Sequence, residues 1–189
     1  MKKVFIIAVI AVFSLTSTQA QEFSFGVKAG VNVASLGGDT FVGGLDSRVS
    51  FHIGGLLVVP VSGDFSFQPE LLYSSQGSRW NFAGFGSEDL ILDYVNVPLL
   101  GKYTFIPGLS AEAGPVIGVL VNAKVDGEDV KDNFSTIDAA FAIGATYRLD
   151  MGVFFSLRYN KGIMNINDND NDNLKNQNNV FQISAGYSF

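Results

Sequence analysis

Apolar residues alternate with other residue types, at a period of two, along most of this chain from Phe23 onward. Val, Ile, Phe and Tyr dominate the apolar positions. Because successive side chains of a strand point to opposite faces, this pattern is typical of β-strands whose two faces meet different surroundings, and no amphipathic helix is predicted. The pattern predicts eight strands, at about residues 23–33, 50–60, 65–76, 90–105, 110–122, 137–149, 152–163 and 180–189.

The connections between these strands alternate in length. Residues 61–64, 106–109 and 150–151 form short turns, and the intervening connections, 34–49, 77–89, 123–136 and 164–179, are long and rich in Gly, Ser, Asn and Asp. Short turns at one end and long loops at the other are typical of outer-membrane barrels, and an even strand number places both termini at the periplasmic end. The predicted fold is therefore all-β, an eight-stranded antiparallel up-and-down transmembrane β-barrel.

The two faces of the predicted strands differ in charge. One face carries no charged residue, whereas the other carries every charge of the strand cores. An Arg or Lys that faces lipid at the bilayer midplane costs about 2–4 kcal/mol, so the uncharged face is expected to meet lipid. A soluble lipocalin-like barrel is the alternative, but eight strands enclose too little space for so many large apolar side chains. The inward charges, Lys28, Glu70, Lys102, Glu112, Arg148 and Arg158, are predicted to form an ion-pair network in the lumen.

The N-terminus has the features of a secretory signal peptide. Lys2 and Lys3 precede an apolar stretch of twelve residues, and Thr18 and Ala20 provide small residues before a cleavage site. A membrane-anchoring helix is the alternative, but it needs roughly 20 apolar residues. We therefore assign residues 1–20 to the signal peptide and residues 21–189 to one barrel domain.

Charge and cysteine content exclude several functions. The whole chain has 12 Lys and Arg against 18 Asp and Glu, so removal of the two signal-peptide lysines leaves 10 against 18, a net charge of −8. Nucleic acid is not an expected partner of such an acidic protein. The absence of cysteine excludes disulfides, thiolate metal sites and lipid attachment through an N-terminal cysteine.

Three prolines conflict with regular strands. Pro69, Pro98 and Pro115 fall inside predicted strands, where each removes a hydrogen bond of the ladder. A closed barrel has no free edge on which to place them. We predict β-bulges at these three positions.

Four segments are similar to a known family. They are 25–32 (Phe-Gly-Val-Lys-Ala-Gly-Val-Asn), 68–74 (Gln-Pro-Glu-Leu-Leu-Tyr-Ser), 94–100 (Tyr-Val-Asn-Val-Pro-Leu-Leu) and 186–189 (Gly-Tyr-Ser-Phe). With them, the mature chain resembles the PorT-like outer-membrane β-barrel family of Bacteroidota. The resemblance implies the fold and an outer-membrane location, with the bilayer as partner and Phe189 as the end signal for the outer-membrane assembly machinery.

The same resemblance implies little about activity. A few members look tied to protein secretion, and a fold by itself does not determine a function. Asn96 departs from the family pattern, because relatives tend to carry an acidic residue there. Any role of that carboxylate is therefore not carried over to this chain.

The inward charges have two interpretations. Lys102 and Glu112 flank a tight turn, so they should lie opposite each other, with Arg148 at a similar depth on the next strand. Paired charges of this kind either fill the lumen or line a constriction that selects ions. A narrow ion or solute pore is thus an alternative function, whereas a wide channel needs sixteen or more strands.

Two further features suggest chemistry. His52 is the sole histidine and is expected to face the lumen, so an outer-membrane enzyme would have to use it, yet no nucleophile motif lies nearby in the sequence. Asp168, Asp170 and Asp172 have the spacing of a calcium loop without its glycine and terminal acid, which leaves a weak Ca²⁺ site or a disordered loop as the alternatives. We therefore predict no catalytic residue and no cofactor, and a structural or surface-interaction role in which the long loops contact an extracellular or envelope protein.

Overall fold

The computed structural model describes residues 23–38, 45–82, 86–167 and 176–189. They form one antiparallel sheet that closes on itself, with eight long strands and one strand of two residues. The elements are β1 Ser24–Gly38, β2 Leu45–Ser62, β3 Phe65–Phe82, β4 Gly86–Ile106, β5 Leu109–Val125, β6 Glu128–Asp129, a 3₁₀ helix at Lys131–Asn133, β7 Ile137–Arg148, β8 Val153–Gly162 and β9 Asn176–Ser188.

Each long strand pairs with the long strands before and after it in the chain, and β1 pairs with β9 to close the barrel. The short strand β6 pairs only with the end of β5. The predicted eight-stranded antiparallel up-and-down barrel is therefore confirmed. No helix in the described part of the chain is long and apolar enough to cross a membrane.

The short turns require backbone conformations that favour glycine. Gly63, Gly108 and Gly152 have φ values of +53°, +84° and +90°. A Cβ atom at Gly108 would lie 2.6 Å from the carbonyl oxygen of Arg148, so this turn also needs glycine for space. These three turns share one end of the barrel with the start of β1 and the end of β9. We call it the short-turn end, and the opposite end the long-loop end.

At the long-loop end the strands continue into segments predicted as loops. The pairing of β3 with β4 runs as far as Phe82 and Gly86, and β1 remains paired with β9 up to Gly38 and Asn176. The turn at Asp126 and Gly127 has positive φ at both residues, as in a type I′ hairpin turn. The predicted loop boundaries were wrong here, because polar strands with low intrinsic propensity still pair when a neighbouring strand supplies the hydrogen bonds.

The two faces of the wall differ as predicted. In β5, Ile117, Val119 and Val121 are exposed, whereas the alternating Val116 and Leu120 are buried. Similar rows of exposed apolar side chains on the other long strands form a band around the barrel. At the short-turn end this band is aromatic, with edge-to-face pairs of Tyr103 with Phe105 and Tyr187 with Phe189.

The predicted bulges at Pro69, Pro98 and Pro115 do not form. The register of β3 with β4, β4 with β5 and β5 with β7 stays constant across all three prolines. Instead, Pro98 lacks a ladder partner on β3 but keeps Val116 on β5, and Pro115 lacks one on β4 but keeps Phe141 on β7. Because proline lacks only the N–H, the ladder is interrupted on one side while the strand stays in phase.

Candidate functional site in the barrel lumen

A cluster of four charged side chains crosses the lumen. Arg158 on β8 donates from Nη1 and Nη2 to Oε2 and Oε1 of Glu70 on β3, both at 2.8 Å. It also donates from Nε and Nη2 to Oε1 of Glu112 on β5, at 2.8 and 2.5 Å. The Nζ atom of Lys28 on β1 lies 2.9 Å from Glu70 Oε2. We call Lys28, Glu70, Glu112 and Arg158 the charged cluster.

The charged cluster is buried and electrically balanced. Each of its side chains is at most 2% exposed, and two cations face two carboxylates. Thr146 adds a hydrogen bond from its hydroxyl to Glu112 Oε2 at 3.2 Å. Buried charges need this degree of pairing, because removing one partner leaves the other uncompensated in a medium of low dielectric constant.

Lys102 and Arg148 lie beside the charged cluster. The strand register does place Lys102 opposite Glu112. The Lys102 ammonium, however, donates to Gln68 Oε1 at 3.1 Å, and Gln68 Nε2 in turn donates to Glu70 and Glu112. Within the described residues, neither Lys102 nor Arg148 has a carboxylate within 4 Å. The predicted row along neighbouring strands is thus replaced by contacts across the lumen, because the planar guanidinium of Arg158 binds both carboxylates.

A cavity of about 250 Å³ lies between the charged cluster and the short-turn end. Lys28, Glu70 and Arg158 form its inner end, and Lys102 and Arg148 lie in its walls. Its outer residues belong to the turns and strand ends, which places its mouth at the short-turn end. Hydroxyl groups line much of the rest, from Ser24, Ser66, Thr104, Ser110, Thr146, Ser156 and Ser188.

His52 lies in the lumen in a separate hydrogen-bond network. Its Nδ1 donates to Asn32 Oδ1 at 2.8 Å, and its Nε2 lies 2.8 Å from the Ser184 hydroxyl oxygen, within hydrogen-bond distance. Asn32 Nδ2 donates to the hydroxyl of Ser74 and to two backbone carbonyl oxygens, which fixes the orientation of its amide. Both ring nitrogens of His52 therefore have hydrogen-bond partners.

This network has the geometry of a serine nucleophile, a base and an orienting amide. The sequence did not reveal it, because Ser184 lies 132 residues after His52 and is brought beside it only by barrel closure. Ser184 is 3% exposed, His52 is fully buried, and neither lines the cavity at the short-turn end. A substrate therefore has no route to the Ser184 hydroxyl through that cavity.

At the long-loop end, an apolar cluster fills the lumen. Its β4 residues, Leu90, Leu92 and Tyr94, occupy the same even-numbered inward positions as Asn96. This alternation in the sequence could have revealed the cluster. Val125, Val130 and Phe134 pack against the cluster. We call it the apolar plug; it comprises Leu36, Leu90, Leu92, Tyr94, Leu120, Ala123 and Ile166.

Metal-binding groups do not assemble within the described residues. No group of three or more His, Cys, Asp or Glu side chains that could hold a metal occurs there. The calcium-like spacing at Asp168, Asp170 and Asp172 lies outside the described residues, as does the predicted signal peptide.

The closed barrel with an apolar wall and a polar lumen agrees with a family comparison. The family model for the outer membrane protein β-barrel domain matches residues 19–168. The chain belongs to this family of outer-membrane β-barrels. That membership supports an outer-membrane location and contact with its lipid bilayer. None of the curated proteins matches the sequence.

Two solved barrels have the same overall fold. The attachment invasion locus protein Ail of Yersinia pestis is 15% identical, with a TM-score of 0.56, over 89% of this chain and 100% of Ail. Neisserial surface protein A is 16% identical, with a TM-score of 0.59, over 89% of this chain and 100% of that protein. Ail has also been solved in complex with the heparin analogue sucrose octasulfate, with a TM-score of 0.54 at 14% identity. At these identities the likeness shows the fold alone.

Proposed function

We propose that this outer-membrane barrel has a structural or surface-interaction role, with the long-loop end as its contact surface and without catalysis. The observation that carries the proposal is the filled lumen. The charged cluster crosses it near the short-turn end, and the apolar plug fills it near the long-loop end. An eight-stranded barrel has room for little more than such side chains, so conduction through a narrow pore is disfavoured.

The long-loop end is built as a support for contacts. The β3–β4 hairpin stays paired beyond the apolar band, and the Arg79 guanidinium binds Asp89 across it through two hydrogen bonds of 2.7 and 3.2 Å. Paired strands of this kind form a rigid base at the long-loop end. Such a base suits recognition of a partner at the cell surface.

The charge of this end indicates the kind of partner. Residues 124–132, from the end of β5 through the 3₁₀ helix, contain four acidic and two basic residues. Surfaces with an excess of negative charge favour cationic partners. Ail is named for attachment, and such a role is consistent with this proposal. The sulfated ligand of Ail is not proposed for this chain, because the surface here is acidic.

The same proposal includes the family, the export and the orientation of the barrel. We infer a PorT-like barrel of Bacteroidota, exported by a signal peptide at residues 1–20 and recognised by the assembly machinery through Phe189. In this orientation the short-turn end and both termini of the mature chain face the periplasm. The family match and the fold support the outer-membrane part of this assignment.

Single-channel conductance tests the absence of a pore. The refolded mature protein in a planar bilayer is expected to give no discrete current steps. Glu112→Gln and Lys102→Gln serve as matched variants that change the lumen charge. Steps in the wild type that change in size with either variant would establish a pore through the lumen and overturn the proposal.

Exchange of the external hairpin tests the contact surface. Replacing residues 126–132 by a Gly-Ser linker should abolish the contact that the barrel makes with its partner at the surface of the producing bacterium. The shift of its electrophoretic mobility on heating should show that the variant still folds as a barrel. A matched linker exchange at residues 149–152, at the short-turn end, should leave that function unchanged. Equal loss of function in both linker variants would mean that residues 126–132 are not the contact surface.

Labelling with a fluorophosphonate tests for catalysis. The probe reacts with activated serines, and the burial of Ser184 predicts no labelling of the intact barrel. Labelling of the wild type that disappears in Ser184→Ala and His52→Ala would show an active nucleophile. That result would replace the proposed role by an enzymatic one.

A further inference from the structure

The cavity at the short-turn end has an unbalanced charge. Lys28, Lys102, Arg148 and Arg158 contribute four cations to its walls, and Glu70 contributes one carboxylate. Counting Glu112, which is bonded to Arg158 behind the wall, leaves an excess of 4 − 2 = +2. Glu70 and Glu112 are already engaged by Lys28 and Arg158, so they do not neutralise the remaining two cations.

The two uncompensated cations have unused donors. The Lys102 ammonium spends one of its three N–H groups on Gln68 Oε1. The Arg148 guanidinium has no hydrogen-bond partner among the described residues, and Arg148 lies at the mouth of the cavity. Arg148 is exposed to solvent, whereas Lys102 is partly buried and its ammonium has lost part of its hydration. An anion bound in the cavity would replace that lost hydration.

Neutral donors complete the same wall. The Ser156 hydroxyl is 4% exposed, lines the cavity and has no hydrogen-bond partner. The Ser188 hydroxyl at the mouth is likewise buried without a partner. An unpaired buried hydroxyl costs free energy, and a bound acceptor removes that cost.

From this geometry we propose that the cavity is a binding site for a small oxyanion, a phosphate or carboxylate group that enters from the short-turn end. Lys102 and Arg148 supply charge, and Ser156 donates a neutral hydrogen bond. The charged cluster closes the inner end, so the ligand enters and leaves through one mouth, and the site binds without conducting. The inference does not depend on the contact surface at the opposite end of the barrel.

Inorganic phosphate is the probe for this site. The refolded mature barrel in phosphatidylcholine nanodiscs is titrated with phosphate by calorimetry. Phosphate replaces chloride in the buffer so that the ionic strength stays constant. Saturable binding is expected in the wild type. Lys102→Gln and Arg148→Gln should each weaken it about tenfold, as expected for the loss of one charge-assisted hydrogen bond.

Two further variants separate a built site from a general positive field. Ser156→Leu fills the cavity without changing its charge and should abolish binding. Lys161→Gln removes a cation from the exposed part of β8 outside the cavity and should leave binding unchanged. Heat-modified electrophoretic mobility verifies that every variant is folded.

The outcomes decide the proposal. Absence of saturable binding in the wild type, or equal binding in the Lys102→Gln/Arg148→Gln double variant, overturns it. Binding in phosphatidylcholine that is lost in nanodiscs containing phosphatidylglycerol identifies a lipid headgroup as the source of the oxyanion and supports the same site. Binding in both bilayers identifies a soluble solute.

Discussion

The two ends of the lumen are filled by opposite means. At the short-turn end, four charged side chains bind one another across the barrel and a cavity remains beside them. At the long-loop end, leucines, a tyrosine and an isoleucine pack together. Polar side chains lie between these two regions, around His52 and Asn32.

This difference shows that a polar lumen is not one environment. Pairing of charges depends on geometry, because each carboxylate must face a donor at hydrogen-bond distance. Apolar packing is less directional and tolerates changes in side-chain shape more readily. The short-turn end should therefore respond sharply to single charge changes, and the long-loop end should respond to changes in volume.

The largest effect is expected from Arg158→Met. It leaves Glu70 with Lys28 alone and Glu112 without a cation, and removing one partner of a buried ion pair costs about 3–5 kcal/mol of unfolding free energy. The measurement is urea unfolding in lipid vesicles. Arg148→Met, which removes a cation at the cavity mouth, should change the unfolding free energy far less.

The charge-balanced double variant Arg158→Met/Glu112→Gln sharpens this prediction. Removing one cation and one carboxylate together should recover part of the lost stability, because the Lys28–Glu70 pair remains intact. If the two substitutions are additive, the charged cluster does not act as a unit.

The next largest effect is expected on the outer wall. Leu157 neighbours Arg158 on β8 but faces outward, with 52% of its surface exposed. Leu157→Arg should cost about 2–4 kcal/mol, because it places a charge in the hydrocarbon region. The measurement is unfolding free energy in vesicles, with Met151→Arg in the exposed turn as the matched control. Full stability of Leu157→Arg would show that the lipid-facing side is misassigned.

A smaller effect is expected at the long-loop end. Leu92 is fully buried in the apolar plug, and Leu92→Ala should cost about 2–3 kcal/mol, near the lower limit for buried leucines because water can enter at a barrel end. Phosphate binding at the short-turn end should be unchanged in this variant. A coupled loss of binding would mean that the two ends of the lumen are not independent.

The smallest effect is expected at the external β3–β4 hairpin. Hydrogen bonding from Arg79 holds the pKa of Asp89 below its ordinary value of 3.8. Since the folded pKa lies below the unfolded one, the contribution to stability is present above pH 3.8 and is lost as the pH falls through the folded pKa. The protection of the hairpin amides against hydrogen exchange, relative to their intrinsic exchange rates at each pH, should therefore fall in acid in the wild type. Asp89→Asn should remove that pH dependence of the protection. The effect is small because exposed ion pairs are weak.

The sequence predicted the wall of the barrel better than its interior. The period-two pattern identified the outward residues, such as Val119, Leu157 and Ile183, because lipid imposes the same requirement on every strand. It also indicated which charges face inward. It could not indicate that Arg158 reaches both Glu70 and Glu112, since contacts across a lumen depend on strand tilt and stagger, which leave no local pattern.

Other interior features escaped prediction for related reasons. Ser184 and His52 meet only because β9 closes against β1, so no spacing in the sequence connects them. The apolar plug joins inward residues of two predicted strands to Leu36, Ala123 and Ile166, which lie in segments whose polar composition suggested loops. Strand ends depended on pairing with neighbours, which single-strand propensity does not report.

The seam between β1 and β9 joins residues 26–38 to residues 176–188, in the first and last strands of the fold. Contacts between such distant segments form late, because a long loop of chain must close before they contribute any stability. Until the final strand is present, the growing sheet has two unpaired edges that can pair with other chains. Folding of this barrel is therefore bound to completion of the chain, and a protein shortened by its last strand would be a substrate for aggregation or proteolysis rather than a smaller barrel.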